Sequence, residues 1–389
     1  MTEAFIAAAV RTAGARKGGR LAGYHPADLA GLLLNALLEK LDSDPALIDD
    51  VILGCVNQVG EQSLNIARRA ILAAGLPESV PGVTVDRQCG SSQQSIHFAA
   101  QAVKAEAMDI VVAAGVESMT RVPMGLSSQF PEKHGFGTPH SPQLAARYPS
   151  IVFSQFTGAE MLARKCNLSR EQLDRFALES HLRAARATHA GAFQAEIVPV
   201  EVSANGQSEA HTVDEGIRFD ASQEAIGSVK LIQEGGRITA ATSSQICDGA
   251  AGVVVCNERG LQKLGAQPLA RIHHMTVIGH DPVIMLEAPL PATQLALRRA
   301  GMHIGDIDLY EVNEAFAPVP LAWLQATGAD PEKLNVNGGA IALGHPLGAS
   351  GAKLMTTLIH ALQARGKRFG LQTMCEGGGL ANVTIIERL

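Results

Sequence analysis

The sequence predicts an α/β protein assembled from two similar halves. Short β-branched runs alternate with longer amphipathic stretches, which is the signature of strands followed by covering helices. The alternation occurs twice, separated by a stretch in which it fails. The two occurrences also resemble each other. At an offset of 256 residues Ile48, Asp50, Val51, Leu53, Val56 and Asn57 fall on Ile304, Asp306, Ile307, Leu309, Val312 and Asn313, and Cys89 falls on His345. Two halves related by a pseudo-dyad bring those last two positions to a central interface.

Taken in order, the first half reads as a strand at Ala4 to Val10, a helix from Pro26 and a strand at Asp50 to Val56. A helix near Ser63, a strand at Gly82 to Val85, a helix after Cys89 and a strand at Ile110 to Gly115 follow. The second half resumes near Arg271. It has helices near Thr293, near Leu321 and from Leu347, with strands at Ile307 to Val312, Gly370 to Met374 and Asn382 to Ile386. Between them, from about Thr120 to Gln245, Pro and Gly punctuate Pro123 to Pro149 and a charged helical stretch runs from Thr157 to Ala190. Such an insertion is read either as a substrate-covering segment or as an oligomerisation arm.

Composition narrows the function. At 389 residues the chain is long enough for more than one packed unit, and 46% apolar, 18% charged and 4% aromatic residues fit cores of closely packed small side chains. A formal charge of -6 without a Lys/Arg run provides no basic field for nucleic acid or an anionic membrane. No apolar run reaches the ~18 residues a membrane span needs. The six cysteines are dispersed without a C-x-x-C, so neither a disulfide framework nor a metal site is expected. With no basic-then-apolar leader and no peroxisomal terminus, the expected location is the cytoplasm.

Four segments carry chemistry. Cys89, in Asp-Arg-Gln-Cys-Gly-Ser-Ser, stands where a strand runs into a helix; there the macrodipole and free N–H groups favour a thiolate, the alternative being an ordinary buried cysteine. His345 lies in a glycine-rich loop suited to holding a general base, and that loop fits neither G-x-G-x-x-G nor G-x-x-x-x-G-K-[ST]. Cys375 closes a strand before Glu376-Gly377-Gly378-Gly379, where bare N–H groups can bind an oxyanion. Asn313-Glu314-Ala315-Phe316 follows another strand and reads by itself as a helix cap.

In this order, the Gln-Cys-Gly-Ser-Ser turn, Asn-Glu-Ala-Phe, Gly-His-Pro and Cys-x-Gly-Gly-Gly resemble the thiolase family, and the likeness runs over essentially the whole chain. It implies the thiolase fold: two duplicated βαβαβαββ halves packed as a five-layer αβαβα core. The N-terminal half is residues 1–119 with 246–270, an inserted loop domain for coenzyme A binding and tetramerisation is 120–245, and the C-terminal half is 271–389. The resemblance makes Cys89 the nucleophile, His345 the base and an oxyanion donor, and Cys375 the proton donor and acceptor. Asn313 holds the oxyanion water and Gly377 provides an oxyanion N–H. It places Arg218, Ser244, Met285 and Phe316 in substrate and coenzyme A binding, with no metal and no bound cofactor, coenzyme A being a co-substrate. Departures from the family pattern fall at Thr239-Ala240-Ala241-Thr242, Ser154, Ala225 and Leu380-Ala381.

The implied activity is reversible thiolysis of a 3-ketoacyl-CoA through an acyl-Cys89 intermediate, degradative in direction, by a homotetramer arranged as a dimer of dimers. A biosynthetic acetoacetyl-CoA enzyme is the alternative, with a decarboxylating ketoacyl synthase and a non-catalytic acyl-CoA-binding protein more remote. The second cysteine at 375 argues against the synthase, and retention of Cys89, His345 and Cys375 argues against the carrier.

Overall fold

A computed structural model describes residues 2–204 and 206–389. Among the described residues the main sheet has eleven strands, of which nine, named in chain order, form its path and the two-residue strands Ala15–Arg16 and Ile197–Val198 pair beside it: β1 (Phe5–Thr12), β2 (Asp50–Gly54), β3 (Gly82–Val85), β4 (Ile110–Ser118), β5 (Cys247–Cys256), β6 (Ala270–Gly279), β7 (Leu309–Val312), β8 (Phe369–Glu376) and β9 (Leu380–Arg388). They pair in the order β7-β8-β9-β6-β1-β5-β4-β2-β3. Read inward from each end, the first half runs β3-β2-β4-β5-β1 and the second β7-β8-β9-β6. A parallel bridge from Leu334 to Tyr310 stands where the second half's copy of β3 belongs.

The halves are copies down to their irregularities. The β1–β5 ladder slips between Ile6 and Ala8, and the β6–β9 ladder slips between Ile272 and His274. Phe5 and Arg271, which these matching bulges make equivalent, pair with each other across the antiparallel β1–β6 contact. The pseudo-dyad therefore passes through that pair, and the two half-sheets join there.

Hydrogen bonding corrects the register of the duplication. Asp49 N–H donates to Ile110 O while its carboxylate accepts from the N–H groups of Asp109 and Ile110; Asp308 does the same with Phe369 O and the N–H groups of Arg368 and Phe369. Asp49 therefore corresponds to Asp308, so the offset of 256 is three residues short. Cys89 corresponds to Gly348 rather than His345, and Glu117 corresponds to Glu376. A short apolar strand matches itself at several shifts, whereas backbone pairing has one solution.

Helices complete five layers. Helix α1 (Pro26–Glu39) starts with Pro26 at its first turn and the His25 ring accepting from Ala27 N–H at 3.2 Å. Its Leu33 and Leu37, with Ile66 and Ala70 of α2 (Ile66–Ala73), cover the outer face of the first half-sheet. Helix α3 (Ser91–Lys104) lies in the middle layer. The segment between β4 and β5 adds α4 (Gln155–Lys165) and α5 (Arg170–His189), and α6 (Pro289–Ala300) and α7 (Pro318–Thr327) cover the second half-sheet. Helix α8 (Ser350–Ala364) lies beside α3, packing Ala352, Met355 and Leu358 against Ile96, Ala99 and Ala100 between the two half-sheets.

Two local expectations change. The helical stretch from Thr157 to Ala190 is two helices, because Ser169 and Gln172 form a reciprocal capping box that starts a new one. Asn313 caps nothing: α7 begins at Pro318 with Ala317 before it. The Pro-rich stretch also holds two short helices, Leu126–Lys133 and Pro142–Arg147.

Candidate active site

The nucleophile turn is made by a few fixed bonds. Between β3 and α3, Gln88 adopts φ +50°, a left-handed conformation that few side chains accept without surrounding support. Ser91 provides that support, its Oγ accepting from Arg87 N–H at 2.9 Å and donating to Gln88 O at 2.6 Å. Cys89 is thereby presented, partly exposed, on the wall of a cleft of 1210 Å³. The expected thiolate is corrected here. Burial pushes the Cys89 thiol up to about 12, with Glu376, Glu117 and Asp86 adding negative potential that outweighs the pull of the local backbone N–H. The resting group is a thiol that needs a base.

His345 fits that need. It is buried, its Nδ1 is 2.5 Å from Ser350 Oγ, and that hydroxyl donates to Pro346 O at 2.8 Å. A hydroxyl has one proton, so the Pro346 bond assigns the Nδ1 hydrogen to the imidazole and leaves Nε2 with its lone pair. The Asn313 amide agrees, with Nδ2 lying 3.4 Å from Nε2. Burial and the nearby Lys353 ammonium lower the imidazole to about 3, so it is neutral throughout the physiological range. Asn313 Oδ1 is buried without a partner, which suits a group that accepts a hydrogen bond from a water.

Cys375, at the end of β8, is buried, and its thiol is pushed well up by burial and by the neighbouring Cys89. Gly377 lines the same cleft as Cys89, packed so tightly on Gln88 that an added Cβ would lie 2.9 Å from its Oε1. Leu347, two residues after His345, lines it too. The structure therefore gathers Cys89, Cys375 and Gly377, and separately joins His345 to Asn313.

The residues assigned to substrate and coenzyme A divide. Met285 lines the catalytic cleft at φ +55°, held there by α4, whose Gly158 leaves no room for a Cβ against Ile284 O. Arg218 lies elsewhere, in a second cleft of 360 Å³ shared with His181, Ala225, Ser243 and Gln245; its N–H donates to His181 Nδ1 at 3.2 Å. Ser244 N–H is tied to Ala315 O at 2.9 Å. Phe316 is buried, stacked edge-on against Phe156 with centroids 5.5 Å apart, and its backbone bridges to Ser243.

Sequence reasoning missed the groups that hold the site. Glu117 accepts from the N–H groups of Val56, Asn57 and Gly348 and from Gln62 Nε2, fastening the His345 loop to the first half. Glu314 accepts from Ser180, Asn335 and Ile341 N–H, anchoring the glycine loop ahead of His345. Lys353 donates to Asp214 and to carbonyls of the same loop. The available signal was a lone acid closing the otherwise apolar run Ile110 to Val116. Among the described residues no cluster of three or more His, Cys, Asp or Glu is placed to hold a metal ion, and no helix is long and apolar enough to cross a membrane.

Residues 4–259 match the family described as thiolase, N-terminal domain, and residues 266–388 match thiolase, C-terminal domain. The chain belongs to the thiolase family. Among curated thiolases it is 54% identical to the steroid 3-ketoacyl-CoA thiolase FadA6 of Mycobacterium tuberculosis, over 100% of this chain and 95% of that one. It is 42% identical to the 3-ketoacyl-CoA thiolase of Salmonella typhimurium, over the whole of both chains. The crystal structure of the Bacillus anthracis acetyl-CoA acetyltransferase superposes with a TM-score of 0.91 at 35% identity, covering 100% of this thiolase and 99% of that chain.

Proposed function

We propose that this thiolase cleaves 3-ketoacyl-CoA by coenzyme A, in the degradative direction, to acetyl-CoA and a shortened acyl-CoA. The observation that supports this reading is that Cys89 is close enough to Cys375 to oppose its ionisation, beside a cleft lined by Cys89 and Gly377. A reaction that breaks a C–C bond needs a nucleophile and a separate proton carrier, and two thiols provide both.

His345 Nε2 takes the proton of Cys89, whose sulfur bonds to the C3 keto carbon. The developing alkoxide is met by a water held by Asn313 and then by the imidazolium N–H, each donor contributing ~2.7 to 4 kcal/mol. Collapse breaks C2–C3, and Cys375 protonates the acetyl-CoA carbanion while the N–H groups of Cys89 and Gly377 hold its thioester oxygen. Coenzyme A, with its nucleotide toward Arg218 and its pantetheine toward Ser244, then attacks the acyl-Cys89 thioester. Met285 bounds the acyl group.

The cleft of 1210 Å³, lined by Phe136, Tyr148 and Phe153 as well as Cys89, has room for acyl groups larger than acetoacetyl. The similarity to a steroid thiolase points the same way, to a ring-bearing acyl chain. The division into halves 1–119 with 246–270 and 271–389 around an inserted loop domain 120–245, the dimer-of-dimers tetramer and a cytoplasmic location belong to the same reading.

The test is intact-protein and peptide mass spectrometry after mixing with linear and alicyclic 3-ketoacyl-CoAs, alongside kcat/KM for each. An acyl adduct on Cys89 is expected, with the bulky substrate preferred. An adduct on Cys375 or Cys247, or a steep fall in kcat/KM beyond four carbons, would overturn the role or the substrate class respectively.

A further inference from the structure

The duplication places two glutamates in equivalent positions beneath the two loops of the site, and their surroundings differ sharply. Glu117 ends β4 under the His345 loop. Its carboxylate is fully enclosed and accepts from three backbone N–H groups, Gln62 Nε2 at 2.8 Å and Asn57 Nδ2 at 3.4 Å. One of those donors is Gly348 N–H, at 2.9 Å, and Gly348 is the counterpart of Cys89.

Glu376 ends β8 under the nucleophile turn and is just as enclosed, at 0% exposure. Neither of its oxygens has a hydrogen-bond partner. The carboxyl lies against Gly90, where an added Cβ would come within 2.0 Å of Oε1 and 2.5 Å of Cδ. The loop after β7, which corresponds to the loop that serves Glu117, is bonded to the insertion: Ala317 N–H donates to Thr242 O, and Ser244 N–H donates to Ala315 O. An ionised carboxylate without a donor in such a place is costly, whereas a protonated one is tolerated.

We propose that Glu376 is a positioning residue for the nucleophile, a carboxylic acid whose proton must be retained for Cys89 to ionise and whose loss sets the alkaline limit of turnover. This rests on Cys89 being the nucleophile. The groups facing Glu376 support it. Arg87 of the turn draws the carboxyl toward ionisation, Asn382 N–H on β9 pulls the same way without completing a hydrogen bond, and burial outweighs both, raising the group to about 8. The other charges around the turn are Asp86 and Glu117, which like Glu376 oppose the Cys89 thiolate; Cys375 adds to the negative side when ionised. His97 on α3 stays neutral, its proton disfavoured first by burial and then by Arg87.

The sign is therefore unusual for a thiol enzyme. Below the Glu376 transition the carboxyl is neutral and leaves Cys89 to His345; above it, a carboxylate beneath Gly90 opposes the thiolate just where simple titration would favour it.

The experiment is the pH dependence, from 6 to 10, of Cys89 alkylation by iodoacetamide, read at the Cys89 peptide, together with single-turnover acylation. In the wild type the alkylation rate should break from a simple thiol titration above about pH 8. In Glu376→Gln the break should vanish, giving about tenfold faster alkylation at pH 9.5, the change in thiolate for one pKa unit. Glu376→Asp, which keeps the carboxyl, should restore the break. Superimposable wild-type and Glu376→Gln profiles would overturn the proposal. So would a wild-type profile that climbs as a single unbroken titration, a readout that stands even where the variants do not fold. Failure of the nucleophile assignment would look different, as an acyl adduct on another residue.

Discussion

At the scale of single residues, the site works by fixing where protons sit. Ser350 decides the tautomer of His345 by donating its own hydrogen to Pro346 O, so the free nitrogen of the imidazole is assigned by a buried hydroxyl. Ser350→Ala should lower kcat/KM about tenfold, the equivalent of one net hydrogen bond of ~1.4 kcal/mol, with the fall in kcat rather than KM. Steady-state kinetics of thiolysis provide the check, and an unchanged kcat would remove Ser350 from the scheme. Cys89, His345, Cys375 and Asn313 were legible because each stands at a loop with distinctive small-residue surroundings. Ser350 was not, since a serine opening a helix reads as a cap. Nor was the raised Cys89 thiol, because sequence shows the helix start but not the acids that folding brings around it.

At the scale of elements, the middle layer combines tight backbone approach with buried polar groups. Gly351 at the start of α8 lets that helix meet α3 so closely that an added Cβ would lie 2.1 Å from Gln93 N. On α3, His97 Nε2 is 2.8 Å from Thr384 Oγ1 and its Nδ1 is 3.1 Å from Asn382 Nδ2, an arrangement that uses the neutral ring. Burial lowers the imidazole to about 3, while in the unfolded chain it titrates near ~6.5. From about pH 6.5 down to about 3 the unfolded state therefore binds a proton that the native state does not, and stability falls with pH by ~1.4 kcal/mol per unit. His97→Gln should abolish that share, so that between pH 7.5 and 5 the wild type loses about 2 kcal/mol more than the variant. Urea titrations at the two pH values decide it, and parallel losses would show that His97 is not the group responsible. The sequence marked this helix but not its partner, since only folding places His97 against β9.

At the scale of the whole molecule, the existence of two copies was readable, whereas the central strands β5 and β6, the order of strands in the sheet and the register of the copies were not. Apolar strand composition tolerates a shift of three residues, and the matched bulges before Ala8 and His274 leave no trace in composition. The free edge at β3 is bordered by Leu64 and Val83, 75% and 44% exposed, and α3 adds Phe98 at 40%. Apolar groups of that size beside an unpaired strand are expected to be covered by another copy of the chain. Light scattering at micromolar concentration should give about four times the 40.8 kDa chain mass, and a monomer would contradict the assembly. The strand order also has a temporal side. β4 ends at Ser118, yet its neighbour β5 begins only at Cys247, and β5 is what joins β4 to β1. During synthesis, at roughly 5 to 20 residues per second, the two earlier strands must wait on the order of 10 s with apolar edges open while the intervening segment emerges. A nascent chain of this design is thus most vulnerable to aggregation midway through translation, when its first sheet still lacks its central strand.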